Sequence, residues 1–492
     1  MSKSKIKENE LVKKTSVVEI VFWWVARAFL LVGVFTADST VKKVFIVISL
    51  LFTFLVSMVK KIFKGSDFSE SLDPHLQTCI SLTAALGAGV GFGLGVFKLF
   101  PEYGILLHLY GGIIGVAIGY YISIAMRKPK TSKDYNYTTL MAFSISCAFI
   151  VPRKILQFFL DFFTGRNLIK CFFVDDDHWL FSVIGHMNSM YEQRPLYDYS
   201  EDLLFGLVGT VLATAVLYIY FRANNKSAFK KDKKKFSFSL KSIPSRCVDK
   251  VIYEIQKVKQ ETNICDMLIW WCTRALMLYA FITMQDRAEA TLLLVIFIGT
   301  FAISILHFIS PKDSMFCRLN YKVQTLVTVI AFFGSYVGNY ISIYNIIGRY
   351  DTFLHFISGF ISFTAGYYLA LTLVKPGTKK ENFSICVFAF AFALAIIPIH
   401  ETVEFVGDYI WGTTNQGFMW EPSDNILLYN LFGHGVGNEL LIRIYDTIYD
   451  MSLATVTSTL SFVFMSLLLS FKKEDKKANP VALSKEKETV NC

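Results

Sequence analysis

Six ionisable residues stand at helical spacing in the last third of the chain: Asp351-x-x-x-His355, Glu401-x-x-Glu404 and Asp446-x-x-x-Asp450. Residues three or four apart share one helix face, so each pair can aim both groups in one direction. Several carboxylates with one imidazole suit a hard or intermediate divalent ion such as Mg²⁺, Mn²⁺ or Fe²⁺. Without an ion, the same groups could run acid–base chemistry or hold a cation or proton on a transport path. Plainer readings exist for most of them. Asp351 and Asp446 fall where helix N-caps belong. His355 and Asp450 could be satisfied interior groups. Glu401 and Glu404 resist such readings. In "IPIHETVEFVGDY" (Ile397 to Tyr409) they stand near a helix C-terminus, where negative charge is unfavourable. Buried carboxylates are also costly unless paired or metal-bound. We expect Asp351, His355, Glu401, Glu404 and Asp450 to act as metal or proton ligands. Glu404 is the expected general base, with Glu401 and His355 beside it and Asp446 orienting from behind.

The elements that position these residues must be membrane helices. The 492 residues are 53% hydrophobic and only 18% charged, too few charges for a soluble surface of this size. The fold class is all-α and polytopic. About 20 apolar residues cross a bilayer core, and on that rule the chain has about twelve spans. They lie near 18–37, 43–63, 77–99, 104–126, 137–160, 204–221, 264–284, 289–310, 321–346, 352–374, 383–407 and 450–471. The first 16 residues are lysine-rich and no A-x-A site follows the first apolar segment, so the first span is expected to be retained. The nine cysteines form no C-x-x-C pair, which excludes a zinc ribbon or redox motif. The formal charge of +10 sits in the termini and in alternate loops. That is a topology signal, not a nucleic-acid surface, and it puts both termini in the cytoplasm.

The chain also repeats itself. Trp23-Trp24-x-x-Arg27 recurs as Trp270-Trp271-x-x-Arg274, an offset of 247 (270 − 23). Gln77-Thr78, His108, Gly112 and Gly119-Tyr120-Tyr121 recur at Gln324-Thr325, His355, Gly359 and Gly366-Tyr367-Tyr368. The expected organisation is a basic N-terminus (1–16), a six-helix repeat (17–222), a basic linker (223–263), a second six-helix repeat (264–471) and a basic tail (472–492). An even number of spans per repeat predicts parallel halves about an axis along the membrane normal. Arg27 and Arg274 lie about ten residues into their spans, roughly 15 Å deep. Both halves keep them, so they read as structural buried charges that need a partner. The adjoining tryptophans read as packing. Further along, Asn136 and Pro152 align with Asn382 and Pro398 at an offset of 246. In that register Glu401, Glu404 and Asp408 face Ile155, Phe158 and Phe162, while at the offset of 247 Asp351 faces Gly104. The first half is thus expected to be a degenerate copy that lost its acids together.

Tyr350-Asp351-x-x-x-His355-x-x-x-Gly359, Glu401-x-x-Glu404, "WGTTNQG" (Trp411 to Gly417) and "YDTIYDM" (Tyr445 to Met451) resemble the signature of the YjdF-like family of bacterial inner-membrane proteins. The resemblance covers roughly 264–471. It implies a bacterial cytoplasmic-membrane location and a polar signature made of Asp351, His355, Glu401, Glu404, Asp446 and Asp450. It names no reaction. The chain departs from the family in an insertion spanning 411–445 and in carrying Tyr445 where the family has Trp. The leading expectation is a metal-dependent or acid–base intramembrane hydrolase or transferase. Its substrate would be a lipid headgroup or envelope precursor, and membrane lipid would be its surroundings. A transporter with a cation or proton site comes second, since the spans show no matched pair of broken helices. A non-catalytic scaffold or immunity protein comes third. The enzyme reading requires the carboxylates to converge. The transporter reading requires a cavity lined from both repeats.

Overall fold

The computed structural model describes residues 15–100, 103–164, 194–225, 243–310, 316–347, 350–411 and 445–471, and every element among them is helical. The insertion 411–445 beyond Trp411, the "WGTTNQG" motif, the Asp408 and Asp446 side chains and the basic tail lie outside the described residues. In the first half the longer helices are α1 (Val17–Thr36), α2 (Thr40–Phe52), α3 (Leu55–Ile62), α4 (Pro74–Ala84), α5 (Tyr103–Met126), α6 (Ser132–Thr164) and α7 (Arg194–Asn224). The second half has α8 (Ile243–Glu261), α9 (Ile264–Thr283), α10 (Arg287–Gly299), α11 (Ala302–Ile309), α12 (Lys322–Ala331), α13 (Tyr350–Leu373), α14 (Lys379–Trp411) and α15 (Tyr445–Phe471). Nine of the described helical segments are long and apolar enough to cross a membrane, or eleven if each of two bent pairs is one span. The expected span at 321–346 is built from α12, a π-helical stretch Phe332–Tyr340 and a short helix Ile343–Ile346. It carries Lys322, Gln324, Thr328 and Asn339 and is not among the nine.

Two of the six-helix core's contacts depend on glycine. Helices α5 and α7 meet where a Cβ on Gly112 would stand 2.3 Å from the Gly206 carbonyl oxygen. Helices α13 and α15 meet where a Cβ on Gly359 would stand 1.9 Å from Thr457 Oγ1 and 2.6 Å from the Ala454 carbonyl oxygen. Without a hydrophobic drive between helices in lipid, such close backbone approach supplies the packing. Between the halves, α6 packs on α14. Met126, Tyr137, Met141 and Ile145 share one buried cluster with Ala370, Leu373, Ile385 and Phe388. At its centre the Tyr137 hydroxyl donates to the Ser384 carbonyl at 3.1 Å and meets Ser384 Oγ at 2.5 Å, across a separation of 247 residues.

Local geometry recurs at that same separation. Arg27 Nε donates to Thr53 Oγ1 at 3.1 Å and Nη2 to the Thr53 carbonyl at 2.8 Å. Arg274 makes the same two bonds to Thr300, at 3.1 and 2.6 Å. Each guanidinium also lies over the following ring, 3.8 Å from the Phe54 centroid and 3.7 Å from the Phe301 centroid. Trp24 and Trp271 stand beside them at 5.0 and 5.3 Å. Both guanidiniums bond to a threonine hydroxyl and carbonyl, and the tryptophans expected as packing also lie within cation–π range. The arginines' partner is a helix break, not a carboxylate. α2 and α3 bend by 49° and α10 and α11 by 56° at the residues the arginines hold. A break exposes carbonyls that lipid cannot satisfy, and the guanidinium satisfies them. The expectation of no matched broken pair is therefore corrected. No Pro marks either break, though Gly299 closes α10 at the second; at both, Thr53 and Thr300 turn their hydroxyls onto the Leu50 and Phe297 carbonyls.

Part of the expected linker 223–263 is the helix α8. It is docked by its polar face: Lys257 Nζ donates to the Cys317 and Leu319 carbonyls at 2.6 and 2.9 Å. Glu254 accepts from the Tyr321 hydroxyl at 2.8 Å. Val251, Ile252 and Ile255 are left exposed on the other side.

Candidate functional site

Three helices of the second half bring the expected ligands together. α13 offers Asp351 from its first turn and His355 one turn on. α14 passes with Glu401 and Glu404 beyond Pro398, and α15 contributes Asp450. The amphipathic logic is inverted here, as a lipid-solvated bundle requires. Polar groups point inward and Phe353, Phe356 and Val403 point out.

His355 is the hinge of the cluster. Its Nε2 lies 3.4 Å from Asp450 Oδ2 and 3.6 Å from Asp351 Oδ1. These three residues can each place a ligand atom within 4.8 Å of the others. A second such group is His400, Glu401 and Glu404. His400 Nδ1 is 3.6 Å from Glu404 Oε1. The two groups adjoin through the imidazoles, whose centroids are 5.6 Å apart in an edge-on arrangement. Glu401 and Asp450 are 2% and 4% exposed, while Glu404 is half-buried. Asp446 stands at the second position of α15, but its side chain lies outside the described residues.

His400 was not anticipated. The signal was present in His400-Glu401-x-x-Glu404: an imidazole four residues before a carboxylate shares its helix face. It went unused because its neighbour Glu401 already explained the segment.

The first half is not apolar at the corresponding place, contrary to expectation. His108 Nε2 is 2.8 Å from Asp202 Oδ1, and Lys154 donates to the other oxygen of Asp202. The Arg153 guanidinium lies against the His108 ring at 3.3 and 3.5 Å. The discrepancy is one of register. α6 and α14 are each 33 residues long and start 247 apart (379 − 132), not 246. One residue turns a helical position by roughly 100°. In the structural register Arg153, Lys154 and Gln157 stand against His400, Glu401 and Glu404. The prolines that anchored the sequence alignment are displaced by one. The first half kept a charged cluster and reversed its sign.

Residues 265–470 match the family described as "Predicted membrane protein (DUF2238)". The match lies within the second half of the chain and is consistent with the YjdF-like resemblance. No curated protein and no solved structure matches the chain. The family description carries no activity, so the chemistry rests on the geometry of the cluster.

The described large cavity lies elsewhere. It is lined by first-half residues between Lys42 and Gly206.

Proposed function

We propose that the second repeat holds a divalent-cation centre of an intramembrane enzyme acting on a lipid headgroup or envelope precursor. The observation that carries this reading is the convergence of two imidazoles and four carboxylates from three helices, with ligand atoms of each triad within 4.8 Å of one another. Mixed imidazole and carboxylate donors suit Mn²⁺ or Fe²⁺, and the carboxylates alone suit Mg²⁺. Pairing inward-facing Asp/Glu and His from neighbouring helices is how helix bundles hold such ions. Asp351, His355 and Asp450 would hold one position, and His400 and Glu401 would border a second. A bound ion would supply a lowered water pKa or polarise a phosphoryl oxygen. Glu404, the least buried carboxylate of its triad, is the proposed base, and Asp446 the proposed orienter. The enzyme is placed in a bacterial cytoplasmic membrane with both termini inside, its two repeats joined by 223–263.

The matched bent pairs favour one second reading. Interrupted helices at corresponding positions of two halves are a transporter feature, and the same carboxylates would then bind a transported cation or proton.

Metal analysis of the purified full chain tests the centre. Wild type should carry one or two equivalents of a divalent metal, and Glu404→Gln and Asp351→Asn should lower its occupancy at least tenfold. Equal metal content in wild type and both variants would sink the centre. Proteoliposomes loaded against a Mn²⁺ gradient separate the readings. Uptake by wild type and not by Glu404→Gln selects transport, and a metal-loaded protein that moves no ion selects the enzyme.

A further inference from the structure

The first half encloses a cavity of about 850 Å³, within the size range of small-ligand sites. It runs between α2, α3, α4, α5 and α6. One end is apolar, walled by Val56, Leu72, Leu76 and Ile122. The other end is where α6 and α7 meet, and it is lined by Arg153, Lys154, Gln157 and Asp202 with His108. Among the described residues the charges there do not cancel. Lys154 and His108 both engage Asp202, so the carboxylate is already matched. Among the described residues Arg153 meets only the His108 ring, where Nδ1 is the one free acceptor because Nε2 faces Asp202, and this leaves most of a five-donor fork for another acceptor.

A second observation points the same way. Gln157 is 7% exposed and lines the cavity, yet its Oε1 has no hydrogen-bond partner among the described residues. Buried polar atoms are almost always satisfied, so an orphan here is unusual. The orphan oxygen calls for a donor, such as a headgroup hydroxyl, and the NH₂ of the same side chain can donate to an anionic oxygen.

We propose that this cavity binds an anionic amphiphile. The chain lies along the apolar walls, and the phosphate or carboxylate head takes the Arg153 guanidinium with the Gln157 amide. An aliphatic chain covers apolar surface that a free anion would leave wet. A planar fork suits phosphate and carboxylate alike. This site is separate from the acidic cluster of the second repeat and does not depend on it.

One glycine on the cavity wall supplies a clean test. A Cβ on Gly87 meets nothing nearer than Leu107 Cδ2 at 3.8 Å, so a larger side chain there fills the cavity without pushing backbone. Purified full-length protein in phosphatidylcholine nanodiscs is titrated with dioleoyl phosphatidylglycerol, oleate or inorganic phosphate, and bound ligand is counted by native mass spectrometry. Phosphatidylglycerol, oleate or both should bind at one per chain, and which of them binds identifies the head. Arg153→Gln should weaken that binding at least tenfold, and Gly87→Leu should abolish it, with unfolding temperatures tracked alongside. Failure of both anionic amphiphiles to bind wild type overturns the proposal. So does equal binding by folded Arg153→Gln and Gly87→Leu. Tight binding of inorganic phosphate alone overturns the role given to the chain.

Discussion

Arg27 and Arg274 sit inside the membrane without a carboxylate, and their partners are a threonine hydroxyl and a threonine carbonyl at a helix break. Lysine could reach one of those acceptors but could not bridge both while lying flat on Phe301. Arg274→Lys should therefore cost about 1–3 kcal/mol, the penalty for a buried acceptor left unmet. Thermal unfolding of the purified variant in detergent would check this, with a matched Tm loss for Arg27→Lys. An unchanged Tm in both would mean the breaks hold themselves. Much of this scale was legible in the sequence. Residue type, spacing and an intramembrane position identified both arginines and five of the six described ligand candidates. His400 escaped because it is flanked by Glu401, which already accounted for the segment. The cation–π contacts escaped because Phe54 and Phe301 come from other helices.

Among the elements, the tightest packing lies where α13 crosses α15 at Gly359 and where α5 crosses α7 at Gly112. In both places the atoms a side chain would strike include backbone, which cannot swing aside. Gly359→Leu should separate α13 from α15 and move His355 away from Asp450. We expect a loss of at least 1–3 kcal/mol, the usual penalty of overpacking, together with loss of bound metal. Retained metal with lowered stability would show that the cluster tolerates a wider crossing. Glycine positions were visible in the repeat, but the helix breaks were not. Hydropathy averages over a window and does not register a bend made by a threonine whose hydroxyl turns onto its own helix. The docked helix α8 was hidden for a similar reason. Its lysines read as a topology signal, yet Lys257 is buried against two carbonyls.

At the scale of the whole molecule, the two halves use one frame for opposite charges. His108 and Asp202 recur as His355 and Asp450, but Lys154 and Arg153 stand where Glu401 and His400 stand. Reversing Lys154 should therefore fail. Lys154→Glu would put a second carboxylate against Asp202, and an unpaired buried charge costs about 3–5 kcal/mol. We expect that variant to lose most of its folded yield, measured by size-exclusion chromatography. A monodisperse peak of wild-type height would refute the role of the pair. The recurring local geometry was legible because an offset of 247 survives in rigid motifs such as Trp23-Trp24-x-x-Arg27 and Trp270-Trp271-x-x-Arg274. The recharging was not, because an alignment anchored on Pro152 and Pro398 runs one residue out of the structural register.

Tyr137 and Ser384 hold corresponding positions in the two repeats, and each is the other's neighbour. Contact between a position and its own equivalent occurs where a symmetric dimer meets across its twofold. The seam between α6 and α14 thus has the form of a subunit interface now contained in one polypeptide. Such a seam does not need the covalent link that crosses it. Two separately encoded polypeptides, divided between residues 225 and 243, should find each other in the membrane and co-purify through one affinity tag. Tyr137→Arg should prevent them from doing so.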